Sequence, residues 1–151
     1  MSHQIDPGII AAIIAFLGTI ITFFWQKSLE KRSINRAILA EIQRLIKVVT
    51  THEKWWAERL AAKDTNFPLI PFSHVVYSKQ VPNVGALNHR VVANVVMFYG
   101  YVRFLNSLQE ARPQYLAAQK QAEFDITYHD ALKTLLKDFD HAFDEEFKGH
   151  V

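Results

Sequence analysis

Between Asp6 and Lys27 the chain carries no ionisable side chain, and this constrains its fold more than any other feature. The stretch Pro7 to Trp25, PGIIAAIIAFLGTIITFFW, holds six Ile, one Leu and three Phe from Ile9 onward. On an insertion scale each contributes about −0.3 to −0.6 kcal/mol, a few kcal/mol in sum toward the bilayer. Gly18, Thr19 and Thr22 return part of that. A helix from Ile9 to Trp25 covers roughly 25 Å, slightly short of a ~30 Å hydrocarbon core. Snorkelling of Lys27 and inclusion of Pro7 and Gly8 close the gap. The segment reads as a transmembrane anchor.

Two rivals fare worse. A cleaved signal peptide needs a basic n-region and a small-residue cleavage site. MSHQID has no Lys or Arg, and Trp25-Gln26-Lys27 follows the apolar run. A core helix of a soluble domain shows a polar stripe, and this segment has none. Nothing basic precedes the anchor, whereas Lys27, Lys31, Arg32 and Arg36 follow it closely. The positive-inside rule then places the N-terminus outside and the C-terminal body in the cytoplasm, at the cell inner (plasma) membrane. Trp25 stands where an aromatic belt residue would.

Residues 1–26 thus read as the anchor and 27–151 as one helical cytoplasmic domain. Eleven Phe, five Tyr and three Trp supply core material, and the net charge is only +2. Its basic residues gather beside the membrane, which points to topology and anionic lipid, with no nucleic-acid motif beside them. The absence of cysteine excludes disulfides, thiolate metal sites and cysteine nucleophiles.

Asp6-Pro7 suits a helix start, and after Gly18 neither Gly nor Pro occurs until Pro68. One helix is therefore expected from about Pro7 to Ala62, continuous from the membrane into the body. Ile38, Ile42, Leu45, Val49, His52 and Trp56 alternate steps of four and three, the spacing of a coiled-coil seam or of a bundle core. Residues 63–87 carry the turn formers Asp64, Asn66, Pro68, Pro71, Pro82, Asn83 and Gly85 amid apolar residues, and read as a packed loop. Within it SHVVYSKQ suits a short helix capped by Ser73, or equally a short extended piece. A second helix is expected from Asn88 to about Ala111, with Gly100 permitting a close helix contact. Arg112-Pro113 should end it and start a third helix from Gln114 to about Lys148. The fold class is all-α: a transmembrane helix continuous with the first helix of a three-helix bundle. Helices alternating in direction would leave the acidic end of the last one far from the membrane.

No catalytic signature stands out. Asp138, His141 and Glu145 share a helix face at ligand spacing, as do Asp125 and His129, but di-metal bundles need matching ligands from facing helices. No metal or cofactor site is expected, and no catalytic residue. His52 on the apolar stripe reads as a core histidine hydrogen-bonded to a partner. Asp138, Asp140, Asp144, Glu145 and Glu146 crowd the last turns against the helix dipole and offer an acidic contact surface. In the anchor, Ala11, Ala15, Gly18, Thr19 and Thr22 lie near one face and suit helix association. They add to the association face of Ile38, Ile42, Leu45, Val49 and Trp56.

Four short pieces, AILAEI at 37–42, PFSHVVYS at 71–78, Val84-Gly85-Ala86-Leu87 and Phe98-Tyr99, resemble a scattered group of small uncharacterised bacterial membrane proteins. In these a single N-terminal pass runs into a helical cytosolic domain. The resemblance implies that architecture and carries no activity. The expectation is a non-enzymatic scaffold or accessory subunit, with the lipid bilayer and a membrane-complex protein or further copies of itself as partners. An oligomeric membrane-acting effector, of phage-exclusion or defence type, is the alternative. A membrane-tethered enzyme ranks third.

Overall fold

The computed structural model describes residues 7–63, 69–80, 89–139 and 141–144, with side chains from Ile14 onward in the first helix and from Val91 in the third. All regular structure among them is helical: α1 (Pro7–Ala61), α2 (Val75–Gln80), α3 (His89–Ala117) and α4 (Gln121–Phe139). The all-α class holds. α1 runs unbroken for 55 residues, roughly 80 Å.

α1 has two regimes. Apart from half-buried Ile20, every described side chain from Ile14 to Ser33 is exposed; from Ile34 onward the helix joins the core. Ile34, Ile38, Leu39, Ile42, Leu45, Val49 and Trp56 are buried against the other elements. These positions recur at steps of three and four, so the seam legible in the sequence is used inside the chain.

Three levels of contact fix the directions of the elements. At one level the Tyr99 hydroxyl reaches Glu41 at 2.6 Å, and Phe98 meets Phe139 with ring centroids 5.4 Å apart. At the next, Gln109 and His52 both reach Tyr128, at 2.6 and 3.2 Å. Beyond that, Phe124 meets Trp56 at 6.3 Å and Tyr115 at 5.6 Å. α1 and α3 therefore advance in the same direction, and α4 returns against both. The return between α1 and α3 is made by residues 69–80. Ile70 lies at the level of Gln109, Phe72 at Asn106, and Tyr77 at Glu41 and Tyr99.

This corrects the expectation of three helices in simple alternation. The alternation exists, but its second pass is an extended segment plus six-residue α2. The C-terminal end of α4 with Asp138, and Asp144 just beyond it, consequently lie at the end of the body where α1 enters it. For Asp138 and Asp144 the expected remoteness from the start of the body does not hold; Asp140, Glu145 and Glu146 lie outside the described residues. The segment after α1 is long enough to carry the chain back before α3 begins.

Helix boundaries also move. α3 passes through Pro113 and ends four residues later, at Ala117. Proline deletes one hydrogen bond, but the last turn is held by Tyr115 and by Arg112, whose guanidinium stands 5.9 Å from the Phe124 ring. What stops the helix is Gln119 at φ 57°, a left-handed residue. Its amide donates to Leu116 O and that of Lys120 to Tyr115 O, the paired bonds of a Schellman motif. Lys63, at φ 53°, ends α1 in the same region. Neither is glycine; the turn formers after Lys63 still mark the end of α1 near the expected Ala62, whereas nothing in the sequence marks the stop at Gln119.

α4 begins at Gln121, not Gln114. Phe124, Tyr128, Leu132, Leu135 and Phe139 point inward, whereas Leu116 and Ile126 are 49% and 62% exposed. The helix stops at Phe139 instead of Lys148. Beyond it Phe143 folds back to within 6.1 Å of Phe98, and Asn94 Nδ2 donates to Ala142 O at 3.3 Å.

By length and composition, Val91–Ala117 is apolar enough to cross a bilayer, with mean hydropathy 1.3 and 33% of its most apolar window buried. This helix lies mid-chain, whereas the sequence points to Pro7–Trp25. Its Val95, Phe98, Val102 and Leu105 are wholly buried in the core.

Candidate functional site

Two buried polar networks hold the returning segment, and each is assembled from residues far apart in sequence. The first centres on Glu41, a carboxylate set among Ile38, Leu39 and Ile42 and only 7% exposed. Its two oxygens accept from the amides of Val76 at 2.8 Å and Tyr77 at 2.9 Å. These are orphan donors of the first turn of α2, so Glu41 caps that helix from 35 residues away. Ser73, the cap expected from the sequence, instead presents its carbonyl to Arg44 at 2.8 Å. Tyr99 adds its hydroxyl to Glu41, and its ring stacks on Tyr77 at 3.8 Å with 9° between planes. Burial, then the nearby carboxylate, drive the Tyr99 pKa far above that of a free phenol.

The second network is a chain of donors. Gln109 Nε2 donates to Ile70 O at 3.0 Å, and a carbonyl can only accept, so the amide orientation is fixed. The same nitrogen donates its other hydrogen to the Tyr128 oxygen at 2.6 Å. The Tyr128 hydrogen is then left for His52 Nε2, at 3.2 Å. Giving that hydrogen an acceptor assigns His52 the neutral tautomer with its proton on Nδ1. That Nδ1–H is buried and has no hydrogen-bond partner among the described residues. Desolvation lowers the His52 pKa below its ordinary value, in keeping with a neutral ring. Trp56, Phe72 and Tyr128 surround it, with ring centroids 5.8 Å from the imidazole.

Between the networks, Asn106 pairs with both backbone groups of Phe72 at 3.0 Å, as a strand neighbour would. Phe72 is 2% exposed. The expected packing of the 63–87 stretch holds for its described part, 69–80.

Beside His52 lies an open groove of about 460 Å³ lined by Lys47, Val48, Thr51, His52, Trp55 and Ile70. A shallower one of about 290 Å³ runs along the outer face of α3, lined by Met97, Gly100, Tyr101 and Phe104. A Cβ built on Gly100 would meet nothing within 4 Å. The close helix contact expected at Gly100 is therefore not made within the chain.

The sequence-derived candidates fall as follows. Ile38, Ile42, Leu45, Val49 and Trp56 are buried core residues of the body. Ala15, Gly18, Thr19 and Thr22 lie on the exposed part of α1. Thr19 and Thr22 turn their hydroxyls onto Ala15 O and Gly18 O, at 2.9 and 2.8 Å. Pro7 and Ala11 belong to α1, but their side chains lie outside the described residues, as do Asp140, Glu145 and Glu146 entirely. Trp25, Lys27, Lys31, Arg32 and Arg36 are exposed, Lys27 lying 4.9 Å from the Phe23 ring centre. The two ligand-spaced groups do not converge. Asp138 accepts from Tyr101, His141 faces Asp144, Asp125 accepts from Gln121, and His129 reaches Glu53 across to α1 at 3.0 Å. No group of three metal-ligating side chains occurs among the described residues.

Reading the sequence missed Glu41, Asn106, Gln109 and Tyr128. The available signal was Glu41 itself, a lone carboxylate inside the apolar AILAEI. No known protein family, curated protein or solved structure matches this chain.

Proposed function

We propose that the chain is a non-enzymatic, single-pass membrane protein whose helical cytoplasmic domain serves as a scaffold or accessory subunit of a membrane complex. One observation carries the reading: the apolar part of α1 is bare. Phe16, Ile21, Phe24 and Trp25 are 66%, 67%, 66% and 67% exposed, so among the described residues nothing covers them. So large an apolar surface is stable only when lipid or protein covers it. A bilayer fits, because Thr19 and Thr22 satisfy their hydroxyls within the helix and every backbone group there is helical. From Trp25 to Ile34, the first buried residue, is roughly 14 Å of bare helix bearing Lys27, Lys31 and Arg32. In this reading that stalk stands in the anionic headgroup zone, and the anchor is rigidly continuous with one wall of a three-helix bundle.

The accessory-subunit role draws support from the outer face of α3, where Val96, Met97 and Phe104 remain about half exposed around Gly100. Its spacing suits an apolar helix of a partner protein. The effector alternative would use the anchor itself, through Ala11, Ala15 and Gly18.

Mild-detergent purification of the full chain from membranes tests these readings. Recovery in the membrane fraction with one stoichiometric partner, lost in Met97→Glu, is the expected result. A discrete homo-oligomer that leaks dye from liposomes would favour the effector. Full recovery in the soluble fraction would overturn both.

A further inference from the structure

The groove beside His52 has properties that the scaffold reading leaves unused. Its walls are apolar, supplied by Val48, Trp55 and Ile70, and its volume lies in the range of small-molecule sites. One end is cationic, because Lys47 is exposed at the rim. Beneath it lies His52 Nδ1–H, a buried donor without a partner. An unmet buried donor costs folding free energy, and native structures keep few of them. The proton sits on Nδ1 because the relay from Gln109 through Tyr128 delivers a hydrogen to Nε2. Moving the proton to Nε2 would leave the Tyr128 hydrogen without this acceptor and Nδ1 still unpaired. What the site lacks is an oxygen acceptor.

We infer that this groove binds a small amphipathic carboxylate. Its apolar body lies against Val48, Trp55 and Ile70, one oxygen accepts from His52 Nδ1–H, and the charge is balanced by Lys47. Nδ1 is buried, so reaching it requires side chains lining the groove to move. Ile70 is already 48% exposed and Trp55 is partly so, and neither is in the sealed core. The chemistry selects among ligands: a cation would meet Lys47, and a pure hydrocarbon would leave the donor unmet. An amphipathic amine should therefore bind weakly, and an alcohol between the two. The inference stands apart from the membrane reading, since it uses only residues of the folded body.

The test uses the full chain in lipid nanodiscs, with 4-phenylbutyrate as probe and 4-phenylbutylamine as its charge-reversed control. Empty nanodiscs correct for partitioning into lipid. Calorimetry follows stoichiometry, and ¹⁵N-histidine spectra follow the His52 Nδ1–H resonance. The expected result is saturation at one equivalent, movement of that resonance, and at least tenfold weaker binding of the amine. Lys47→Ala and Val48→Trp should each weaken the carboxylate at least tenfold. Lys47 is exposed, so its removal leaves the fold intact, which a thermal melt verifies. Absence of saturable binding, equal binding of amine and carboxylate, or a motionless His52 resonance would each overturn the proposal.

Discussion

The carboxylate of Glu41 and the hydroxyl of Tyr99 lie 2.6 Å apart, tying α1 to α3 through a hydrogen bond between residues 58 apart. The same carboxylate caps α2, so three elements meet at one side chain. Glu41→Gln keeps the shape but removes the charge and turns one acceptor into a donor. It should lower stability by about 2 kcal/mol, the scale of losing charge-assisted hydrogen bonds, in urea denaturation. The Val76 and Tyr77 amides should exchange at least tenfold faster. Ser73→Ala should stay within about 0.5 kcal/mol of wild type. A larger loss at Ser73 than at Glu41 would return the cap to the local residue.

Gln119 pays for its left-handed conformation, φ 57°, in Cβ strain that glycine would not feel. Gln119→Gly should stabilise the protein by roughly 0.5–1 kcal/mol, glycine's extra unfolded-state freedom offsetting part of the relief. A raised melting temperature for Gly, with none for Gln119→Ala, is the expected pattern. Destabilisation by Gly would mean that the turn is not held in this geometry.

His52 makes stability depend on pH. Its folded pKa is depressed by burial, so the unfolded chain binds the proton more readily. Its neutral form is favoured above the unfolded value, near 6.5, and stability falls as pH drops below that toward the folded pKa. Urea midpoints should therefore decline between about pH 6.5 and 5. His52→Gln still accepts from Tyr128 but cannot titrate, and should flatten that part of the curve. An unchanged slope would assign the effect to other groups.

Asp125 acts oppositely. Burial raises its pKa despite the hydrogen bond from Gln121 and the nearby charge of Arg112. The folded state thus holds this proton more tightly, and the benefit present below the unfolded pKa is lost as pH rises through the folded one. Asp125→Asn should gain stability relative to wild type from pH 3 to 7, measured by paired melts. A relative loss over that range would show that the Arg112 interaction outweighs desolvation.

The direction of α4 is testable by distance. Because α4 runs back along α1, spin labels at Arg36 and Lys137 should lie closer together than labels at Arg36 and Glu123. All three positions are exposed. The reverse order of distances would restore the arrangement in which the acidic end points away from the anchor.

The helical class, the length of α1 and its inward stripe were legible in sequence because each depends on local periodicity. Ile38, Ile42, Leu45, Val49 and Trp56 recur at helical steps whatever they pack against. The point where α4 begins was not legible. Its start is set by Gln119, where a Schellman pair of backbone bonds holds a residue that carries no turn signature. The course of residues 69–80 was hidden for another reason: Glu41, Asn106 and Gln109 bind its backbone, and backbone groups look alike in every sequence. The absence of charge from Pro7 to Trp25 was likewise legible by composition alone. Only the tertiary structure decided that α1 and α3 run the same way, because a chain's return path is set by which distant side chains satisfy its buried amides and carbonyls.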